Sequence, residues 1–271
     1  MRPLISKLLF SISLISFMSI SPLAVASTNT TKIPNASEKL PQTKPDFSKL
    51  HSPERQKQFI DYMLPFVQAA QADILKKRQT LLTIQSTLVS NNALSKSQKE
   101  QLEKLSHLYK VTYDAHEPEA SVQKLLSRIN ILPISMILAQ AALESGWGTS
   151  RFAQKGNNYF GQHCYTRDCG IVPAQRAPGS SMEVAKFAST LDGVKSYLHM
   201  LNTGNAYRQL RQARSAMLHD GKSFDGLEMI QYLDRYSALP SGEYEKRLAA
   251  TIKSNNLTQY DQVQPKTEKD S

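Results

Sequence analysis

Residues Leu132–Gly148 read LPISMILAQAALESGWG, and between Ile134 and Leu143 only Ser135 and Gln140 are polar. A helix that is apolar on every side belongs in an interior rather than on a surface. Pro133 suits its first turn, and Gly146 and Gly148 suit its end. That places Glu144 in the last turn, where unpaired carbonyls form the negative pole of the helix. Both the pole and desolvation penalise an ionised carboxylate, so both raise its pKa. A carboxyl group that keeps its proton near neutral pH is what a general acid requires. The competing reading is a structural glutamate satisfied by a buried cation or by backbone amides.

The neighbourhood favours chemistry. Trp147 is the single tryptophan, and Asn157-Asn158-Tyr159-Phe160-Gly161-Gln162 supplies rings and amides. Flat aromatic faces and amide donors suit sugar rings that carry acetamido groups. Taken singly, each of these residues reads as core filler or turn former. Grouped beside a buried acid, they read as the rim of a glycan cleft. The expected substrate contacts are Ser145, Trp147, Asn158, Tyr159, Phe160 and Gln162. Cys164 and Cys169 are an even, close pair, read as a local disulfide rather than a metal site, since the only nearby further ligands are His163 and Asp168. No cofactor and no metal are expected.

The chain has 271 residues, room for one large domain or two small ones. Residues 1–26 fit an export signal: Arg2 and Lys7 are basic, Leu8 to Ile20 apolar, and Ala24-Val25-Ala26 forms a cleavage site. The apolar run is short and interrupted by serines, which argues against a permanent anchor, so no stable membrane insertion is expected after cleavage. Loss of Arg2 and Lys7 takes the formal charge from +10 to +8. That balance suits a polyanion, and export makes nucleic acid the least suitable one. The expected location is the periplasm or cell envelope. The densest basic run, Lys76-Lys77-Arg78, reads as a solvated helix face.

Residues 27–51 are rich in Ser, Thr, Asn, Lys and Pro and read as a flexible linker. An N-terminal helical region over 52–118 opens at Ser52-Pro53-Glu54, with a capping hydroxyl and proline at the first helical position. Its apolar residues from Phe59 to Leu75 recur at helical spacing, and Pro65 is expected to kink or split it. Ser95-Lys96-Ser97-Gln98 is a capping-box candidate. Beyond 119 the pattern is helical, except for Tyr159 to Ser189, whose Gly, Pro and Cys residues suggest a small hairpin. Residues 258–271 read as a loose polar tail.

Ala139 to Gly148 followed by Asn157-Asn158-Tyr159-Phe160-Gly161 resembles the signature of the peptidoglycan β-N-acetylglucosaminidases, glycoside hydrolase family 73 of the lysozyme-like superfamily. The likeness is closer to the Bax-type branch of exported bacterial proteins, in which a Cys-x4-Cys segment and a Val-Pro-x-Gln-Arg run follow; here these are Cys164 to Cys169 and Val172 to Arg176. The resemblance covers about Ser121 to Leu257 and implies a domain over 119–257. It implies a mainly α (α+β) fold, a lysozyme-like helical core with a small β-lobe. It makes Glu144 the acid that protonates the leaving glycosidic oxygen of a glycan strand. It also implies a functional tyrosine, matched best by Tyr236 in Asp234-Arg235-Tyr236-Ser237-Ala238 ahead of Tyr232 or Tyr244. For a second carboxylate Glu183 is best placed, with Asp168 and Asp192 competing and a surface role beside Lys186 as the alternative.

Three other functions fit parts of the chain. A lytic transglycosylase shares the superfamily, but such enzymes usually carry a GLMQ-like segment where this chain reads NNYFG. A silent wall-binding module would bind sacculi without releasing sugar. A basic helical protein docking on anionic lipid would bind liposomes in a salt-sensitive way.

Overall fold

The computed structural model describes residues 40–176, 179–220, 224–237, 239–240 and 242–261. The expected export signal and the first part of the expected linker lie outside these residues. The elements run α1 (Glu54–Val89), α2 (Lys96–Leu108), α3 (Pro118–Arg128), α4 (Ile134–Ser145) and α5 (Arg151–Gly156). Three short strands follow, β1 (His163–Cys164), β2 (Gly170–Ile171) and β3 (Glu183–Ala185). The chain then returns to helix with α6 (Thr190–Thr203), α7 (Arg208–His219), α8 (Gly226–Met229) and α9 (Glu243–Ser254), closing on a 3-10 turn over Leu257–Tyr260. The mainly helical fold with a small antiparallel sheet is the one expected.

Helix α4 is the axis. Every residue from Ile134 to Ala142 is buried, as an all-apolar helix should be. α1, α8, α9 and the final 3-10 turn pack around it. α1 also packs on α3 and α6, burying Phe59, Met63, Phe66, Val67, Ala70, Ile74, Leu81 and Ile84. The N-terminal helical region is thus built into the same core as the helices that follow.

Two expectations for α1 change. The helix runs through Pro65 without splitting. An interior proline costs about 3 kcal/mol, but Met63, Phe66 and Val67 beside it are buried, and each such side chain returns about 1.5–3 kcal/mol. Nor does Ser52 cap the helix: it begins at Glu54, and its N-cap residue, Pro53, has no side-chain cap. The capping box of α2 is as read, with Ser95 Oγ accepting from the Gln98 amide (3.2 Å) and Gln98 Oε1 from the Ser95 amide (2.9 Å).

Residues 40–50, expected as linker, are folded against the domain. Lys44 Nζ donates to the carbonyls of Ala153 (2.9 Å) and Gln154 (3.0 Å) and to Asn157 Oδ1 (2.6 Å). These acceptors gather where α5 ends, so a cation there satisfies its terminal carbonyls. Phe47 is fully buried, and its ring lies so close to Gly148 that a Cβ there would stand 2.4 Å from it.

The N-terminus of α4 is finished by a distant residue. Its N-cap residue, Pro133, supplies no side-chain bond. Asp261 takes over, accepting from the Ser135 amide (2.8 Å), the Ser135 hydroxyl and the Gly226 amide (3.0 Å). The tail expected to be loose from 258 is therefore ordered to 261. Replacing Asp261 by Ala strips these donors and should cost about 1–3 kcal/mol. A lowered urea midpoint would register it.

Just before α4, the carbonyls of residues 126–131 converge on buried arginines. Arg214, 0% exposed, donates Nη1 to Asn130 O, Ile131 O and Asn202 Oδ1, and Nη2 to Ser127 O and Arg128 O. Arg78 donates to Leu126 O (2.7 Å) and Ile129 O (3.1 Å). The basic run at 76–78 is therefore not all solvated: Arg78 is buried, while Lys77 pairs with Asp73 one turn away.

In the small sheet β3 is central and pairs antiparallel with both neighbours, in the order β1-β3-β2. The Cys164–Cys169 disulfide joins the end of β1 to the residue before β2, as the spacing suggests.

Candidate active site

Glu144 lies in the last turn of α4, which Gly146 ends in the left-handed conformation (φ 56°). The chain then folds back, with the Trp147 amide bonded to the Ala142 carbonyl at 2.7 Å and Ser145 Oγ accepting from the Gly148 amide at 2.8 Å. This turn leaves Glu144 half-buried, with its carboxyl at the edge of the core. Burial raises its pKa above the ordinary glutamate value, and a hydrogen bond from Tyr244 pulls it part of the way back. Tyr244 Oη donates to Glu144 Oε1 at 2.8 Å. Oε2 takes no hydrogen bond from a described residue and is not a sealed orphan atom, so it faces solvent.

Behind the carboxyl stands a wall of phenols. Tyr236 stacks parallel to Tyr244 (centroids 5.9 Å apart) and donates its hydroxyl to the Phe160 carbonyl (2.6 Å). Phe160 stacks on Tyr197 (3.9 Å). Tyr197 donates to Gln140 Oε1, and Gln140 Nε2 donates to Tyr244 Oη (3.0 Å). The wall draws on α4, the turn after α5, α6, the segment before α9, and α9 itself.

Glu183 sits in β3, only 4% exposed. Its carboxylate accepts from the amides of Gly170 (2.8 Å) and Asp168 (3.2 Å), one on each oxygen, and so holds the disulfide loop to the sheet. Its competitors differ: the Asp168 side chain is exposed, and Asp192 is engaged by the Ser189 hydroxyl at the start of α6.

A family profile described as mannosyl-glycoprotein endo-beta-N-acetylglucosaminidase matches residues 119–257. The chain belongs to this glucosaminidase family. It is similar to "Protein bax" of Escherichia coli (strain K12), 30% identical over 212 residues, covering 78% of this chain and 74% of that protein. It is also similar to "Exo-glucosaminidase LytG" of Bacillus subtilis (strain 168), 25% identical over 149 residues, 53% of this chain and 51% of that one. No solved structure matches. The 212-residue match is longer than the family segment, and only 14 residues follow Leu257, so it takes in part of the region upstream of 119 as well.

Within the glucosaminidase segment, the expected rim residues are mostly interior. Ser145, Asn158, Tyr159, Phe160 and Gln162 are all buried. Asn158 ties its loop together, donating to the carbonyls of Gln162 (2.9 Å) and Ala185 (2.9 Å) and accepting from the Phe160 and Gln162 amides. Gln162 donates to the Gly193 carbonyl (3.1 Å), and Tyr159 packs against Phe59 and Tyr62. The amides and rings that look like sugar contacts in sequence are thus occupied in shaping the loop behind the site. Trp147 alone of the six keeps part of its surface in solvent, set edge-on to Phe59.

Tyr244 bonds to Glu144 and Gln140 bonds to Tyr244, and each leaves only a weak trace in the sequence. Gln140 precedes Glu144 by one helical turn and so shares its face. Tyr244, Leu248 and Ile252 recur every four residues in α9 and are its buried stripe, which marks Tyr244 as inward-facing. An apolar pocket lined by Gln68, Leu75, Ile131, Phe224 and Tyr260 lies at the other end of α4 and includes none of these groups.

Proposed function

We propose that the protein is an exported peptidoglycan hydrolase, akin to glycoside hydrolase family 73, that cleaves the glycosidic bond after N-acetylglucosamine with Glu144 as general acid. The observation that carries this reading is the state of one carboxyl group: its pKa is raised by burial, one oxygen is clamped by Tyr244, and the other faces solvent. The basic charge suits an anionic wall polymer, and no described helix is long and apolar enough to cross a membrane. The wall and the envelope location come to this chain through its family.

In the reaction Glu144 gives its proton to the bridging oxygen, the C–O bond breaks, and positive charge develops at the N-acetylglucosamine anomeric carbon. Two routes complete hydrolysis: water activated by a second carboxylate, or attack by the sugar's own acetamido oxygen followed by water. Both Glu183 oxygens are engaged by loop amides, which supports the second route. Tyr236 supports the site from behind, fixing Tyr244 by stacking and the Phe160 carbonyl by its hydroxyl.

Cleavage is proposed to be internal to the strand. Mass spectrometry of purified sacculi digested with the protein should then show oligosaccharides with reducing N-acetylglucosamine ends. Anhydro-muramic ends would assign it instead to the transglycosylases, and single sugars released from chain ends would make it an exo-enzyme.

A further inference from the structure

The geometry points to Tyr197, Gln140 and Tyr244 as a one-way hydrogen-bond chain that places the acid proton of Glu144 on Oε2, the oxygen beside Gly161. The inference rests on the reading of Glu144 as the acid, but its geometry stands apart from any substrate.

A phenol carries one hydrogen and an amide has distinct ends, so the chain has a direction. Tyr197 is fully buried and stacked on Phe160, and its hydroxyl donates to Gln140 Oε1. With the amide oxygen turned to Tyr197, Nε2 faces Tyr244 and donates to its oxygen at 3.0 Å. That lone pair being used, the Tyr244 hydrogen goes to Glu144 Oε1 at 2.8 Å. Oε1 is an acceptor whether or not the carboxyl is charged, so the hydrogen that titrates belongs on Oε2. Gly161, at φ 65°, borders that oxygen; a Cβ there would lie 3.7 Å from Oε2. The bare backbone leaves that side open to the bridging oxygen of a sugar chain.

The titratable groups that face Glu144 are the phenols of Tyr197 on α6, Tyr236 in the segment before α9 and Tyr244 on α9. Burial pushes all three upward, so none ionises in the range where the carboxyl titrates, and the chain keeps its direction. Tyr244 is on this account a positioning residue acting through Glu144. Its hydrogen bond also favours the charged carboxylate, so it tempers the effect of burial.

The test is a carbon-13 NMR titration of the Glu144 carboxyl, assigned by its loss in Glu144→Gln, in wild type and Tyr244→Phe, beside the pH profile of sacculus digestion. In Tyr244→Phe the carboxyl should titrate at higher pH than in wild type. The alkaline limb of activity should move the same way, and the plateau rate should fall about tenfold as the carboxyl loses its fixed orientation. A merely structural tyrosine would reduce the folded fraction and move neither titration nor limb. Gln140→Met, which keeps Tyr244 but removes its orienting donor, should give a smaller upward shift and serves if Tyr244→Phe does not fold. An unmoved Glu144 titration in a folded variant overturns the chain. Wild-type protein that digests no glycan overturns the hydrolase reading instead, and the NMR shift still decides the inference.

Discussion

Glu144→Gln should abolish glycan digestion while leaving the fold intact. Loss of a general acid typically removes about 10²–10⁴ of rate, and glutamine can still accept the Tyr244 hydrogen bond without having a proton to give. Stability supplies a second, independent signature. The folded-state pKa of Glu144 is raised, chiefly by burial. The folded protein therefore binds this proton more tightly than the unfolded chain does. The resulting stabilisation is fully present below the unfolded pKa and is lost as pH rises through the folded one. Glutamine does not ionise and escapes that loss. The variant should melt at or above the wild-type temperature at pH 8, the difference narrowing toward pH 4. A zymogram of Glu144→Gln with near-native clearing would remove Glu144 from the mechanism.

Arg214→Met should be the most damaging single change to the fold. The guanidinium is completely buried, has no carboxylate partner among the described residues, and spends its two terminal nitrogens on four backbone carbonyls and an asparagine. Burial, reinforced by Arg78 and Arg211, draws its pKa down to about 9, so it remains charged at neutral pH. Methionine fills the volume but leaves buried acceptors unpaired, each costing about 1–3 kcal/mol. The expected loss is about 3–5 kcal/mol in chemical denaturation. An unchanged midpoint would mean that water or neighbouring donors replace the guanidinium without penalty.

Composition alone placed α4 in the interior and Glu144 in its last turn, because an unbroken apolar run between proline and glycine has few other homes. The disulfide was legible for a similar reason: two cysteines with no other ligand set close by. Where sequence rules failed, long-range contacts had outweighed local preference. Pro65 should end a helix, yet the core beneath it keeps α1 whole. Asn158 and Gln162 look like sugar donors until their amides are seen spent on backbone carbonyls, that of Gln162 in the loop and that of Gly193 in α6. Arg214 sits in a helix rich in basic residues, with nothing local to separate it from the exposed Arg208. The motif spacing favours Tyr236, whereas the side chain bonded to the acid is Tyr244, and that choice turns on distances no spacing encodes.

Asp261 gives the order of synthesis a meaning. The helix that bears the acid is in place midway along the chain, yet the carboxylate that closes its N-terminus arrives 126 residues after Ser135. A nascent polypeptide therefore cannot complete this helix's capping until the 126 residues that follow Ser135 have been made. Under the export proposed above, the delay would leave the helix that carries Glu144 uncapped until this downstream carboxylate had also been delivered.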